Sequence, residues 1–462
     1  MSTIDVPAGF ASSPFQRLLR LVTSQQKLWT VLKSAVQIFA IRILGAGLTY
    51  ASMILLARWL GAHDFGIYAY VLVIVTLLGI AFSFGFNSSG VRFVASYLAR
   101  NRLRRLSGFL RFSHKVVAAL ALLGALAGAG LVFALKDIIE PYYVAPMLVG
   151  LLCVPVWALL NQMEATARAF GLVNVAYVPG YILRPLLMIV FVGGLVTFGG
   201  TADAVTGLWA LVGACTVAAL GQGLVIWRRI RKPGSAARPA VHARHWFTVS
   251  LGFLMIDGFR MLLDNADILL IGRFLDPHSV AIYFAVIRTS GLITFICFSV
   301  IGLAVPKFAE IHSAGSRGEL QRFVTNVTQL MFWPSLLAAG AMACAGPYLL
   351  SLFGAGFEAG YPAMLVVLTG LVLRSATLPV EYLLNMTGHH RDTLRVYAVA
   401  ACANVILNLV LIPSFGIVGA AAGTYAAMLG GNLWLYRLVK KRLGVEASVF
   451  SLLKVSRQPA RA

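Results

Sequence analysis

The sequence predicts an all-α integral membrane protein with about twelve transmembrane helices in two six-helix lobes. Three observations predict this fold class. The chain has 462 residues, of which 59% are hydrophobic and 12% charged, and its mean hydropathy is +0.84. Long apolar segments recur along the whole chain, and a sequence pattern in the first half returns in the second. A soluble protein of this length could not bury so much apolar surface.

The apolar segments are each long enough to cross roughly 30 Å of hydrocarbon as a helix of about 20 residues. They are too long and too evenly apolar to be the strands of a membrane barrel. The predicted spans, numbered 1 to 12 in chain order, cover residues 34–57, 68–91, 112–135, 144–166, 171–198, 203–227, 247–272, 280–304, 325–346, 361–386, 391–413 and 417–436.

The distribution of positive charge predicts the orientation of these spans. The formal net charge is +22, which in a soluble protein would suggest a nucleic-acid partner. With the N-terminus in the cytoplasm, however, only Arg58, Lys136 and Arg273 fall in outer loops, and most of the 38 Lys and Arg residues fall in inner loops. This bias predicts an N-in and C-in protein of the cytoplasmic (inner) membrane. Because the bias accounts for the net positive charge, that charge does not indicate a nucleic-acid partner.

An internal repeat predicts two lobes. The segment RWLGAHDFGIYAY at 58–70 resembles RFLDPHSVAIYFA at 273–285, at a constant offset of 215 residues. Six is an even number of spans, so both lobes would insert in the same direction as parallel repeats, with a transport site at their interface. The predicted units are an inner-surface amphipathic segment at 1–33, an N-lobe at 34–235, a C-lobe at 236–443 and a cytoplasmic tail at 444–462.

Four motifs carry a resemblance to a known family. They are LLARWLGAHDFGIYAYV, GVRFVASY, SLFGAGFEAGYPAMLVVL and LNLVLIPSFGIVGAAAGTYAA. In this order and at these spans, they resemble the polysaccharide transporters, a family that includes the O-antigen flippases. The family belongs to the multidrug/oligosaccharidyl-lipid/polysaccharide exporter superfamily, with the lipid II flippases and the multidrug extruders. The resemblance implies a V-shaped transporter that moves an undecaprenyl-pyrophosphate-linked oligosaccharide to the outer leaflet, for O-antigen, capsule or exopolysaccharide export.

Charged residues inside the spans mark the candidate site, because ionisable groups at membrane depth are costly and tend to face a cavity or one another. In span 7, the four charged residues Asp257, Arg260, Asp264 and Asp267 fall within about 80° of one helical face. Span 10 places Glu381 on the same face as Arg374. The other charged candidates are Arg42 in span 1, Arg184 in span 5 and Arg288 in span 8.

These residue types suggest two roles. The planar guanidinium of arginine matches two phosphate oxygens and stays charged, so Arg42, Arg184, Arg260, Arg288 and Arg374 are candidates for binding the pyrophosphate. The carboxylates of Asp257, Asp264, Asp267 and Glu381 would orient these arginines or exchange H⁺ or Na⁺ to couple transport to an ion gradient. Buried ion pairs that only fix helix packing are the structural alternative.

Other functions remain as alternatives. A cation-coupled multidrug exporter of the related type would need an acidic cavity, which five arginines against four carboxylates do not favour. A membrane polymerase or ligase would need a large outer loop for catalysis, and a scaffold would not need a polar cavity. We therefore expect no catalytic residue, metal or cofactor. The expected partners are a lipid-linked glycan and membrane lipids, and polymerase or export proteins and the oligomeric state stay open.

Overall fold

A computed structural model describes residues 14–230, 240–313, 316–387, 389–447 and 449. In this part of the chain there is no β-strand, and fourteen α-helices are joined by short turns. The helices are α1 (Pro14–Phe82), α2 (Phe86–Ala99), α3 (Leu103–Ala134), α4 (Pro141–Ala169), α5 (Val173–Val178), α6 (Arg184–Thr197), α7 (Ala204–Ile230), α8 (Ala243–Phe274), α9 (Pro277–Ser290), α10 (Thr294–Ser313), α11 (Arg317–Ser351), α12 (Tyr361–Ser375), α13 (Pro379–Met386) and α14 (His390–Leu443).

The number of membrane spans agrees with the prediction. Ten stretches of helix in the described residues are long and apolar enough to cross a membrane. Two of them, in α1 and α14, are double: each holds one non-helical glycine, Gly61 with φ 78° and Gly416 with φ 57°. Left-handed backbone of this kind favours glycine, and it turns the chain back on itself. The α1 helix therefore provides spans 1 and 2 and α14 provides spans 11 and 12, which makes twelve.

Four of the predicted spans are interrupted in the structure. Span 2 breaks before α2, where Gly85 has φ 68°. Span 5 contains a π-helical turn at Pro179–Leu183, span 8 contains a 3₁₀ turn at Gly291–Ile293, and span 10 is divided between α12 and α13 before Pro379. Proline removes a backbone donor and π turns widen a helix, and both deform helices near functional sites. The last three interruptions border the central cavity.

The helices pack as two lobes that meet along a shared interface. In the N-lobe, α4 packs against α3, α7 and α1, and in the C-lobe α14 packs against α8 and α12. The lobe boundaries at 34–235 and 236–443 stay a prediction, because residues 231–239 lie outside the described part. Of the predicted segment at 1–33, residues 1–13 also lie outside it, and the chain from Pro14 is continuous with α1. Most of the predicted tail at 444–462 lies outside it as well.

The lobes are closed against each other on the predicted outer side. The buried ring of Phe65 in α1 lies against Phe284 of α9, with ring centroids 5.9 Å apart, and against Phe353 and Phe357. The Arg58 guanidinium donates a hydrogen bond of 2.6 Å to the backbone carbonyl of Leu352. We call this set of contacts the outer closure. It seals the space between the lobes from that side.

On the predicted inner side, the described parts of the two lobes touch along one edge. There α2 packs against α8: the Ser89 and Ser250 hydroxyls are 2.6 Å apart, and Trp246 Nε1 donates to the Tyr97 hydroxyl at 2.9 Å. We call this contact the inner seam. On the opposite edge α1 packs extensively against α9 toward the outer side, whereas toward the inner side α1 and α10 have no comparable packing in the described residues. The interface therefore opens inward between α1 and α10.

Candidate functional site

A central cavity of about 700 Å³ lies between the lobes, beneath the outer closure. Helices from both lobes line it, and the polar lining comes from spans 1, 2, 4, 5, 7, 8, 10 and 12. Four arginines and four carboxylates are part of the lining: Arg184, Arg260, Arg288, Arg374, Glu164, Asp264, Asp267 and Glu381. So many ionisable groups on one surface at membrane depth indicate a water-filled site for a polar ligand.

The C-lobe wall of this cavity mixes both signs of charge. Arg260 Nε lies 4.0 Å from Asp264 Oδ2, one helical turn along α8. Arg374, at the end of α12, and Arg260 both lie within electrostatic reach of Asp264 and Glu381. The break between α12 and α13 brings Glu381 to this wall, where only 7% of its surface is exposed. The two arginines therefore share this wall with two carboxylates, and in the described residues Arg260 forms an ion pair whereas Arg374 does not.

Arg184 and Arg288 are in a different environment. The Arg184 guanidinium, in the first turn of α6, lies 4.6 Å from the ring centroid of Trp157, and that of Arg288 lies 4.6 Å from the centroid of Phe284. Stacking of this kind attracts a cation without neutralising it. In the described part of the chain, neither arginine forms an ion pair with a carboxylate. They belong to opposite lobes and influence each other electrostatically.

Two of the predicted site residues are placed outside the cavity lining. The Arg42 guanidinium lies 5.1 Å from the ring centroid of Tyr177 and 6.0 Å from that of Tyr181, at the inner end of the N-lobe. Asp257 faces the other lobe, where the Ser88 hydroxyl donates to Asp257 Oδ2 at 2.6 Å. Asp257 is therefore part of the inner seam, while the rest of the charged stripe on α8 faces the cavity.

Asp267 is the centre of a buried hydrogen-bond network in the C-lobe. Its carboxylate accepts hydrogen bonds from the Tyr283 hydroxyl at 2.6 Å, the Thr424 hydroxyl at 3.1 Å and the Ile268 backbone N–H at 2.8 Å. The Asn408 side-chain N–H₂ donates to Thr424 Oγ1 and to Asn404 Oδ1. The Asn408 Oδ1 atom is buried and has no hydrogen-bond partner. Several oxygen atoms thus surround one carboxylate, a set of ligands that suits a hard cation.

Several of these residues were not predicted as site residues. Glu164 lies within predicted span 4 and pairs with Arg168 at 3.7 Å, so its charge inside a span was a sufficient signal. Asn404 and Asn408, spaced i and i+4 in span 11, gave a weaker signal, because neutral amides also fix helix packing. Nothing in the sequence marked Trp157, which is one of many aromatic residues. Among the described residues there is no cluster of three or more His, Cys, Asp or Glu that could hold a metal ion.

The internal repeat relates the charged face of span 7 to a face of span 1 that is mostly uncharged. At the offset of 215 residues, the polar face of span 7 aligns with the polar face of span 1, and both contribute to the cavity lining. Three of the four α8 charges have an uncharged counterpart on α1. The aligned pairs are Arg42 with Asp257, Gly45 with Arg260, Thr49 with Asp264 and Ser52 with Asp267. Spans 1 and 7 therefore occupy equivalent positions in the two lobes but differ in charge.

Comparison of the sequence with known families gives one match over most of the chain. The profile of the family described as "Polysaccharide biosynthesis protein" matches residues 31–312. An uncharacterized membrane protein of Methanocaldococcus jannaschii is 23% identical over 448 residues, covering 89% of this chain and 86% of that protein. A probable low-salt glycan biosynthesis flippase of Haloferax volcanii, Agl15, is 23% identical over 405 residues, covering 85% and 80%.

Solved structures share the fold. An inward-facing multidrug resistance transporter of the MATE family, in the MOP superfamily, aligns with a TM-score of 0.69 and 12% identity, over 91% of this chain and all of that chain. The lipid II flippase MurJ in an inward closed conformation aligns with a TM-score of 0.67 and 11% identity, over 92% of this chain and 94% of that one. These TM-scores show that the chain shares the twelve-helix, two-lobe fold, whereas identities this low show nothing about the substrate.

Proposed function

This chain belongs to the polysaccharide biosynthesis protein family of membrane proteins, and on that premise we propose that it is a flippase for a lipid-linked oligosaccharide. The proposed substrate is an undecaprenyl-pyrophosphate-linked glycan, moved from the inner to the outer leaflet of the cytoplasmic membrane for polysaccharide export. One observation carries the proposal: the cavity that opens inward between the lobes is lined by four arginines, two of which stack on aromatic rings and form no ion pair in the described residues. The relative named as a probable flippase, Agl15, supports it.

The arginines would bind the diphosphate. A guanidinium offers five N–H donors in a planar fork and stays charged at every physiological pH, so it matches the oxygens of a phosphate group. Arg184, Arg260, Arg288 and Arg374 border the cavity, and Arg42 lies just below it on α1. A diphosphate entering between α1 and α10 would meet positive charge while its prenyl chain stayed in the lipid.

Alternating access would then follow from the two lobes. Parallel repeats can rock against each other around a fixed site. The outer closure would separate to release the glycan outward, and the cavity would close on the inner side. The outer closure consists mainly of four aromatic rings with little polar bonding. As the lobes separate, these rings would lose their contacts across the interface and form other apolar contacts.

Ion coupling would act at Asp267. The network around this carboxylate joins α8, α9 and both halves of α14, so a Na⁺ ion or a proton bound there would change how these helices pack. The unpartnered Asn408 Oδ1 is one further oxygen available to a cation. This part of the proposal accounts for a buried carboxylate that an arginine-orienting role does not explain, because its hydrogen bonds come from uncharged donors.

An ion-coupled multidrug exporter is the second candidate. It is favoured by the likeness of the fold to MATE transporters and by the carboxylates of the cavity, which a cationic drug could use. The arginines count against it, since Arg184 and Arg288, which form no ion pair in the described residues, would repel such a drug.

A deletion strain separates the two candidates. A flippase deletion should accumulate one lipid-linked glycan on the inner leaflet and lose it from the cell surface, with drug susceptibility unchanged. The leaflet is assigned by accessibility of the glycan to a membrane-impermeant periodate or lectin reagent in intact cells and in inverted vesicles. Normal glycan export together with increased drug sensitivity would reject the flippase proposal in favour of the exporter. Expression of the wild-type chain in the deletion strain is the control.

A further inference from the structure

The four arginines of the cavity fall into two classes. Arg260 and Arg374 share the C-lobe wall with Asp264 and Glu381, and Arg260 already forms an ion pair with Asp264. Arg184 and Arg288 stack on aromatic rings and come from opposite lobes. Among the described residues neither forms an ion pair, although Glu164 lies within electrostatic reach of Arg184. A glycolipid head group also has two chemical parts, a diphosphate with concentrated negative charge and a glycan with many hydroxyl groups.

The diphosphate matches the two arginines that stack on aromatic rings. A carboxylate beside an arginine repels an incoming phosphate and competes for the same N–H donors, so the C-lobe wall is a poor anion site. Stacking on Trp157 or Phe284 holds the guanidinium plane in place but leaves the donors at its edge available. Because Arg184 belongs to α6 and Arg288 to α9, a diphosphate held by both would bridge the two lobes.

The C-lobe wall matches the glycan. Carboxylates accept hydrogen bonds from sugar hydroxyls, and arginine, asparagine and tyrosine side chains can donate to them. Asn265 and Tyr382 line this wall beside Asp264 and Glu381, and the adjacent charges of opposite sign leave it with little net charge. A wall of alternating donors and acceptors with little net charge is suited to an uncharged polyhydroxylated ligand and unsuited to a diphosphate.

We propose that the cavity is divided into a diphosphate subsite formed by Arg184 and Arg288 across the two lobes and a glycan subsite formed by the Asp264, Glu381, Arg260 and Arg374 wall. This inference rests on the proposed flippase function and assigns different roles to arginines that have the same charge. It places recognition of the part common to all such substrates at the lobe interface, and recognition of the variable part on one lobe.

The test measures binding of a prenyl diphosphate that carries no sugar. Geranylgeranyl diphosphate is titrated into the purified full-length protein in lipid nanodiscs, by calorimetry, with geranylgeraniol and inorganic pyrophosphate as separate probes for the tail and the head. We expect R184Q and R288Q each to weaken diphosphate binding about ten- to hundredfold, the effect of losing charge-assisted hydrogen bonds. The matched variants R260Q and R374Q should change it less than about threefold, since Arg260 is already paired with Asp264 and Arg374 shares its wall with Asp264 and Glu381.

The outcomes separate this inference from the flippase proposal. Equal losses in all four variants, or larger losses in R260Q and R374Q, would overturn the division of the cavity. A wild-type protein that binds no prenyl diphosphate would overturn the proposed substrate class itself. If R184Q or R288Q does not yield folded protein, R184K and R288K replace them: they keep the charge but lose the planar fork, and unchanged affinity in both would refute the subsite. The R260Q and R374Q variants should bind the probe and still fail to restore glycan export.

Discussion

Replacing Gly66 by alanine tests the outer closure directly. Gly66 lies in the second half of α1, where a Cβ atom would come within 1.8 Å of the Pro277 carbonyl oxygen and 2.6 Å of its carbonyl carbon. Both are backbone atoms of α9, in the other lobe. An ordinary contact needs at least 3.4 Å, so the two backbones would have to separate by roughly 1.6 Å, and no side-chain rotation could relieve the overlap.

The magnitude follows from this overlap. Forcing a methyl group into a tightly packed contact costs about 1–3 kcal/mol. Here the cost applies only while the lobes are in contact on the outer side, because the methyl group would point into open space once they separate. The equilibrium should therefore shift about 5- to 150-fold toward conformations that are open outward. The gain in helix propensity from glycine to alanine is the same in both conformations and does not alter the balance.

The shift can be measured as a distance between spin labels on the outer ends of the two lobes. Labels at Ile138→Cys and Ala359→Cys, both exposed, would be placed in a background where the exposed Cys344 and Cys402 are serine. G66A should increase the population with long distances. The control is G258A in α8, where a new Cβ atom meets nothing within 4 Å. Identical distance distributions in G66A and in the control would refute the view that this contact holds the outer side closed.

Three further predictions concern other parts of the interface. Sodium chloride should raise the melting temperature of the purified wild-type protein more than choline chloride does. D267N should abolish this difference, and D264N should keep it. A sodium effect that survives in D267N would exclude the Asp267 carboxylate as the ion site. A disulfide between S89C and S250C should form readily and leave transport largely intact, because the inner seam stays closed in both states; complete loss on oxidation, restored by reduction, would show that the seam must open. R260A should lower the free energy of unfolding by less than about 1 kcal/mol, because the pair of Arg260 with Asp264 is half-exposed. The same variant should reduce transport strongly. Transport at the wild-type rate would argue against a role of Arg260 in the site.

The sequence was sufficient for the large features of this fold because the bilayer imposes them. Span length and the charge of the loops are set by the hydrocarbon thickness, so they can be derived without tertiary contacts. The helix breaks before Gly85 and Pro379 could not be derived. A glycine or proline in a span is compatible with a straight helix, a kink or an interruption, and the choice depends on which neighbouring helix fills the gap.

The candidate site shows the same limit at the level of side chains. A helical wheel places Asp257, Arg260 and Asp264 on one face of α8, and the structure keeps them there. The wheel contains no information about what that face meets, however. The inner end of α8 meets Ser88 of the other lobe, whereas the middle of the helix borders the cavity. The pairing of Arg260 was visible in the i, i+4 spacing, but the stacking of Arg184 on Trp157 depends on two helices that the sequence does not connect.

The one-sided inner seam has a consequence for how large a substrate can be. A cavity of about 700 Å³ would fit only a few sugar residues if it were enclosed on all sides. Because the interface opens sideways between α1 and α10, a molecule can be held by its middle while both its ends project beyond the protein, one into lipid and one into water. Under the proposed function, the volume between the lobes would therefore not limit the length of the glycan or of the lipid tail. A longer molecule would only need more time to pass between the lobes. A single such protein could then carry repeat units of unequal length.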